Sequence, residues 1–366
     1  MDTQEEYKNF LECYYFDYNV LNSIISFWDS FENTAYQTSF CLYLILKQFY
    51  DLNKICIPYS MAHIWDVIKG TKNYENKIEI IKEISKKWYV SEDDKDNNII
   101  RIDKCGDIIQ HFDDTFESMK LTDDIQMTFN PLIENMFKIS MFNDSYSSAL
   151  PSNLYNKLID IYNEKPVKSV NDIFQFTYKM IHVINIKNYI NLENLSKEKL
   201  IEKIELYLED SIFFNSINVK TLSDYEMFSS KNIINFQQSE FSKKVFMYSL
   251  LCDYIGITKE KKNKIYKEAF TSGMINDLIH LSIGLRCSIF VTNDKNLKVK
   301  AIICKILLNS KVKIFDIEDF YQYLVNEYVK IKYPEANGKD FSIPIKINDK
   351  IYQKTVKTDF ERIFYS

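Results

Sequence analysis

The sequence predicts an α/β fold, because two separated stretches share one grammar. In residues 11–70 and again in 240–320, short β-type runs alternate with helical apolar periods. Strands alternating with helices imply a parallel sheet with right-handed crossovers. The intervening 71–239 reads as mostly helical, so the expected architecture is one discontinuous α/β core interrupted by a helical insertion. Residues 321–366 form a C-terminal extension with a predicted hairpin.

The elements follow in order. Cys13 to Asp17 (CYYFD) is an apolar, aromatic run that ends in a carboxylate, and is read as a strand. Over 19–31, Val20, Leu21, Ile24, Ile25, Trp28 and Phe31 recur at helical spacing. A second helix is predicted over 38–50. The run ICIP (55–58) then leads through Tyr59 and Ser60 into the helix MAHIWDVIKG, with Ser60 as N-cap. In the insertion, 74–88, 151–163, 170–190 and 197–208 carry periodic apolar positions. A helix over 273–285 precedes the strand SIFVTND (288–294), and a helix over 297–308 precedes the strand KVKIF (311–315). FSIPIKINDKIYQKT (341–355) alternates around an Asn-Asp turn, which is a hairpin signal.

Composition removes several function classes. Hydrophobic residues at 46% and charged residues at 27% are globular values, and a net charge of −5 excludes a uniformly basic nucleic-acid coat. All six glycines stand alone, so no G-x-G-x-x-G or G-x-x-x-x-G-K-[ST] loop exists to cradle a dinucleotide or a nucleotide phosphate. The first ten residues are polar and acidic, and no apolar run reaches the roughly 18 residues that span a bilayer; a cytoplasmic protein without membrane contact is expected. The seven cysteines include no C-x-x-C pair and mostly have apolar neighbours, which reads as reduced, buried thiols. Charge is divided along the chain. Residues 91–124 hold eleven acidic against four basic residues, and 241–313 hold fourteen basic against five acidic. A basic half attracts a polyanion while the total stays negative. Arg101, Arg286 and Arg362 are the only arginines, so phosphate contacts fall mainly to lysine.

Ligands of open α/β sheets bind at the C-terminal ends of the strands. Asp17 ends the first strand there and Asp294 ends SIFVTND; Asp66 and Asp277 lie on helices expected to cap the same edge. Singly, a strand-end aspartate starts a turn or caps a helix, and a helical aspartate commonly faces solvent. Together, four carboxylates on one edge repel unless a divalent cation neutralises them, and hard oxygen ligands suit Mg²⁺ or Mn²⁺. Beside a basic surface, such a cluster is a recipe for phosphodiester hydrolysis. His63 and His280 each stand three residues from one of these acids, one helical turn away on the same face. They either orient a carboxylate, contact phosphate or shuttle a proton, or sit as satisfied buried histidines. His111 and His182 have no such company.

The strings YYFDYNVL (14–21), IPYSMAHIWDV (57–67), INDLIHLSIG (275–284), IFVTNDKNL (289–297) and VKIFDIEDF (312–320) resemble the PIN-domain nucleases. The likeness is to the PIN-like branch with a Y-S-x-x-H-x-x-E/D segment after the second strand. The resemblance implies a three-layer α/β/α sandwich with a central parallel sheet, and a site of three or four acids holding Mg²⁺ or Mn²⁺. Carried over, Asp17 is the acid after strand one, Asp66 the helix acid, Asp277 the third acid and Asp294 the acid of T-x-D. Asn19 matches the Asn of D-x-N and Thr292 the Thr of T-x-D, both supporting the acids. Two departures stand out: Asp66 is shorter by one methylene than the Glu of many relatives, and the insertion far exceeds that of minimal toxin-type members.

The leading expectation is therefore a metal-dependent, ribonuclease-type hydrolase. Asp17 and Asp294 hold the principal ion, Asp277 binds it directly or through water, and Asp66 completes the cluster or holds a second ion. Lysines of 241–313 position the nucleic acid, RNA being favoured over DNA. The insertion shapes substrate choice or docks a protein regulator, such as an antitoxin or a phage-defence partner. The alternative is a non-catalytic PIN-like scaffold that binds RNA or protein. A phosphatase-like enzyme ranks below both, because no D-x-D-x-[TV] string follows strand one.

Overall fold

The computed structural model describes residues 12–29, 46, 49–50, 55–69, 74–92, 99–108, 110–112, 114, seven positions between 152 and 179, 188–211, 214–215, 218–232, 239–258, 270–332, 341–347 and 350–356. In chain order the regular elements are β1 (Glu12–Phe16), α1 (Tyr18–Asp29), β2 (Ile55–Cys56), α2 (Met61–Lys69), α3 (Tyr74–Ser85), β3 (Trp88–Glu92), β4 (Ile100–Lys104), α4 (Lys197–Asp210) and α5 (Leu222–Asn232). They continue with α6 (Glu240–Tyr254), α7 (Phe270–Gly284), β5 (Ile289–Val291), α8 (Lys295–Leu308), β6 (Lys313–Phe315), α9 (Ile317–Lys332), β7 (Phe341–Ile347) and β8 (Lys350–Val356).

A four-stranded parallel sheet runs β2-β1-β5-β6, with Cys13 opposite Cys56, Tyr15 opposite Phe290 and Phe290 opposite Ile314. The chain winds outward from β1 to β2, then re-enters at β5 and winds the other way to β6. The reversal point therefore lies between β1 and β5, the place where open α/β sheets bind their ligands. The strand sequence explains why both faces are covered. β1 has no alternation: Cys13, Tyr14, Tyr15 and Phe16 are all buried. Cys13 and Tyr15 join a core with Leu200 and Ile204 of α4, Val245 and Leu251 of α6 and Ala301 and Cys304 of α8. Tyr14 and Phe16 join the opposite core with Ile64 of α2, Ile81 of α3 and Phe320 and Leu324 of α9. Helices thus cover both sides of the sheet. Gly284 lets α7 end flush on β5, since a Cβ there would lie 2.6 Å from the Phe290 ring.

The strands expected from CYYFD, ICIP, SIFVTND and KVKIF are present, as is the 341–355 hairpin, in β7 and β8. Two differences lie in 71–239. The helix read over 74–88 stops at Ser85, because Lys86 and Lys87 adopt left-handed backbone angles (φ 50° and 69°) and turn the chain into β3. β3 and β4 then form an antiparallel hairpin inside the stretch read as mostly helical. This hairpin is a separate two-stranded sheet, linked by one parallel bridge to the chain just after β2: Tyr59 N–H donates to Trp88 O at 2.9 Å, and Val90 N–H to Tyr59 O at 2.8 Å. The predicted helix over 197–208 is α4. Most of 38–50, 151–163 and 170–190, the run 259–264, and the Asn-Asp turn at 348–349 lie outside the described residues. No helix among the described residues is long and apolar enough to cross a membrane.

Candidate active site

The first half of the site is built at the reversal point. Asp17 directly follows β1; its N–H donates to Val291 O at 2.9 Å, continuing the β1–β5 ladder, while its C=O accepts from Val20 N and opens α1. The side chain is 3% exposed. Asn19 N–H reaches Asp17 Oδ1 at 3.1 Å, Asn19 Nδ2 reaches Oδ2 at 3.4 Å, and Thr292 Oγ1 donates to Oδ2 at 2.7 Å. Thr292 in turn accepts from Asp294 N–H at 3.1 Å. Asn19 and Thr292 thus both hydrogen-bond the Asp17 carboxylate. Asp294 serves as N-cap of α8, its Oδ1 accepting from Asn296 N at 2.8 Å and Leu297 N at 3.0 Å.

The second half lies on α2 and α7. Ser60 caps α2, and His63 takes the N3 place that Glu holds in a capping box: Ser60 N–H donates to His63 Nδ1 at 2.9 Å. That bond makes Nδ1 the acceptor, so Nε2–H donates to Phe16 O at 2.7 Å, gripping the strand one residue before Asp17. His63 is fully buried, and burial together with nearby His280 holds its pKa well below the ordinary value. α7 is tied to α2 by Asn276 Nδ2, which donates to Ala62 O at 3.1 Å. One turn on, His280 Nε2 bonds Asp66 Oδ2 at 3.1 Å, and its Nδ1 lies 2.9 Å from the Tyr15 hydroxyl. Tyr15 also bonds Ser60 Oγ at 2.6 Å, which closes a buried chain from Asp66 through His280, Tyr15 and Ser60 to His63. Burial lowers the His280 pKa, but the Asp66 hydrogen bond and the charges of Asp17, Asp66 and Asp277 outweigh it, and the net shift is upward.

Three of the four predicted acids therefore act on one buried imidazole. Asp66 and His280 pair across two helices, not along one, and Tyr15, which joins the two histidines, carries no sequence signal beyond its place in an apolar strand. Both histidines are buried and hydrogen-bonded, which matches the satisfied-core reading. In kind, the donors suit a hard divalent cation: Asp17 and Asp294 follow adjacent strands, joined through Thr292, and no Lys or Arg pairs with Asp17 among the described residues. They do not form a closed ligand shell; no three His, Cys, Asp or Glu among the described residues stand close enough to hold a metal ion.

The basic stretch behaves differently from expectation. Among its described members, Lys300 pairs with Asp253 and Lys298 with Asp316, both at 2.7 Å, Lys243 pairs with Glu240, Lys313 bonds Tyr323 and Arg286 holds Glu92. Five of the cations among its described residues are thus engaged within the chain, while Lys295, next to Asp294, is exposed. Compared with protein-family models, curated proteins and solved structures, the chain matches none.

Proposed function

We propose that this chain is a metal-dependent nuclease with a PIN-like core, hydrolysing phosphodiester bonds, with RNA favoured on the sequence resemblance. The observation that supports it best is Asp17: a buried carboxylate at the sheet's reversal point, held in place by neutral donors. A buried charge is costly unless it is paired, and a divalent cation is the partner that this position and donor chemistry suit. Asp17 and Asp294 would hold it, with Asp277 alongside. When bound, Mg²⁺ or Mn²⁺ supplies Lewis acidity and water activation. Thr292 and Asn19 fix the Asp17 carboxylate, His63 anchors the strand end that carries it, His280 orients Asp66, and Lys295 offers a rim cation to the nucleic-acid backbone.

The test is Mn²⁺-dependent cleavage of total tRNA, unstructured RNA and single-stranded DNA by wild type, Asp17→Asn and Asp294→Asn. Cleavage lost in both folded variants supports the reading and names the substrate class; full activity in both sinks it. A second reading, a non-catalytic scaffold for RNA or a partner protein, draws on Asp66 being engaged by His280 and Asp294 by its helix cap. Calorimetric titration with Mn²⁺ separates the two, since a scaffold has no need to bind the ion.

A further inference from the structure

A second cluster of reactive groups sits at the end of the β3–β4 hairpin. After β4 the chain turns through Cys105, Gly106 and Asp107, braced by Cys105 N–H to Lys87 O at 2.8 Å and Lys87 Nζ to Gly106 O at 3.1 Å. A helical turn follows. Ile108 and Phe112, four residues apart, bury their side chains, and His111 N–H donates to Asp107 O at 3.1 Å. This arrangement sends the His111 ring back over the turn. Its Nδ1 lies 3.0 Å from the Tyr59 hydroxyl and 3.8 Å from Cys105 Sγ, and the ring meets Tyr89 edge-on at 4.5 Å.

Two features separate Cys105 from the other thiols. Of the six described cysteines, Cys13, Cys56, Cys252, Cys287 and Cys304 are buried, while Cys105 is half-buried. It also lines an open pocket of about 340 Å³, together with Tyr89, Lys104, Asp107, His111 and Asp114. A nucleophile with a base in reach, the base held by further groups, is the pattern of activated thiols. Burial lowers the His111 pKa, against an opposing pull from Asp114.

We propose that Cys105 is a nucleophilic, oxidant-reactive thiol with His111 as its base, in a pocket that admits a small neutral hydroperoxide. The carboxylates of Asp103, Asp107 and Asp114 outnumber Lys104 in the lining and disfavour anions. The thiol, which donates to Asp107 O at 3.3 Å, rotates to pass its proton to His111 Nδ1, and the Tyr59 hydroxyl turns to donate to the thiolate. Sulfur attacks one peroxide oxygen and the O–O bond breaks. The departing alkoxide, or hydroxide in the case of hydrogen peroxide, takes the proton from His111 and leaves as the alcohol or water. Cys105 is oxidised to the sulfenic acid and the peroxide is reduced. This site is independent of the acidic centre and of the nuclease reading.

The test treats the full chain with hydrogen peroxide and dimedone, and separately with iodoacetamide, and maps each cysteine by mass spectrometry. Cys105 is expected to carry the dimedone adduct and to alkylate well ahead of the five buried thiols. His111→Asn keeps an acceptor for Tyr59 but is no base, and should slow both reactions at Cys105 by about tenfold or more. Equal rates in a folded His111→Asn would overturn the proposal. So would a wild type in which Cys105 reacts no faster than the buried thiols, a comparison that needs no variant.

Discussion

Asp17 and Asp253 are equally buried, at 3% and 1% exposed, yet they are treated in opposite ways. Asp253, near the end of α6, receives Thr258 Oγ1 at 2.6 Å and the ammonium of Lys300 at 2.7 Å. Its charge is neutralised within the fold. Asp17 receives a hydroxyl and two amide donors at the mouth of the sheet, and no lysine or arginine among the described residues. Removing a charge from water costs several kcal/mol unless a counter-charge restores it. Asp253 is neutralised within the fold, whereas the absence of a Lys or Arg partner for Asp17 among the described residues is what the proposed cation site rests on.

The largest effect that would sharpen this contrast is on chemistry. Asp17→Asn should lower Mn²⁺-dependent cleavage by roughly 10³-fold or more, since Lewis-acid catalysis is worth several kcal/mol. Its unfolding free energy should move by only about 1 kcal/mol, because the amide still accepts from Thr292. Asp253→Asn should do the reverse. It removes the carboxylate charge that faces the buried Lys300 ammonium and should destabilise by about 3–5 kcal/mol in urea unfolding, with cleavage per folded molecule unchanged. If both variants lost activity and stability alike, the contrast would collapse.

A smaller effect is expected in pH. The His280 pKa is raised in the fold, so its stabilisation is complete below the ordinary value of 6.5 and fades as pH climbs through the folded value. His63 is lowered, so its contribution is present above 6.5 and is lost as pH falls toward its folded value. Thermal melts of His280→Gln should therefore lose the decline of stability above pH 6.5 while keeping the decline below it; a profile parallel to wild type would refute the assignment. The smallest effect should be Lys243→Ala, which removes a surface pair with Glu240 one helical turn away and should change stability by under about 0.5 kcal/mol.

β1 and β5 were legible because buried parallel strands are short, continuously apolar runs, as CYYF and IFV are; KVKIF, with Lys313 exposed and Ile314 and Phe315 half-buried, was read from its place after a helix. Asp17 and Asp294 stand out in the sequence because they come where the first two runs end, whereas Asp66 and Asp277 lie within helices. The β3–β4 hairpin was not legible. Apolar periodicity carries on from α3 into Trp88, and the turn between them is made by two lysines at positive φ, where no glycine marks it. Nor was the pairing of histidines with their partners: sequence spacing reports neighbours on one helix, whereas His280 finds Asp66 across 214 positions. His111 looked solitary for the same reason, since Tyr59 lies 52 positions before it.

The Thr292–Asp17 hydrogen bond joins groups 275 positions apart. Contacts of such span are slow to form, because the entropy of closing the loop comes before any reward from packing. During synthesis β1 and β2 leave the ribosome long before β5 exists to lie beside them. The acid that follows β1 therefore spends most of translation without the hydroxyl that orients it, and a chain cut short of residue 292 lacks both Thr292 and Asp294. Any activity seated there belongs to the finished protein, withheld from its fragments by topology alone.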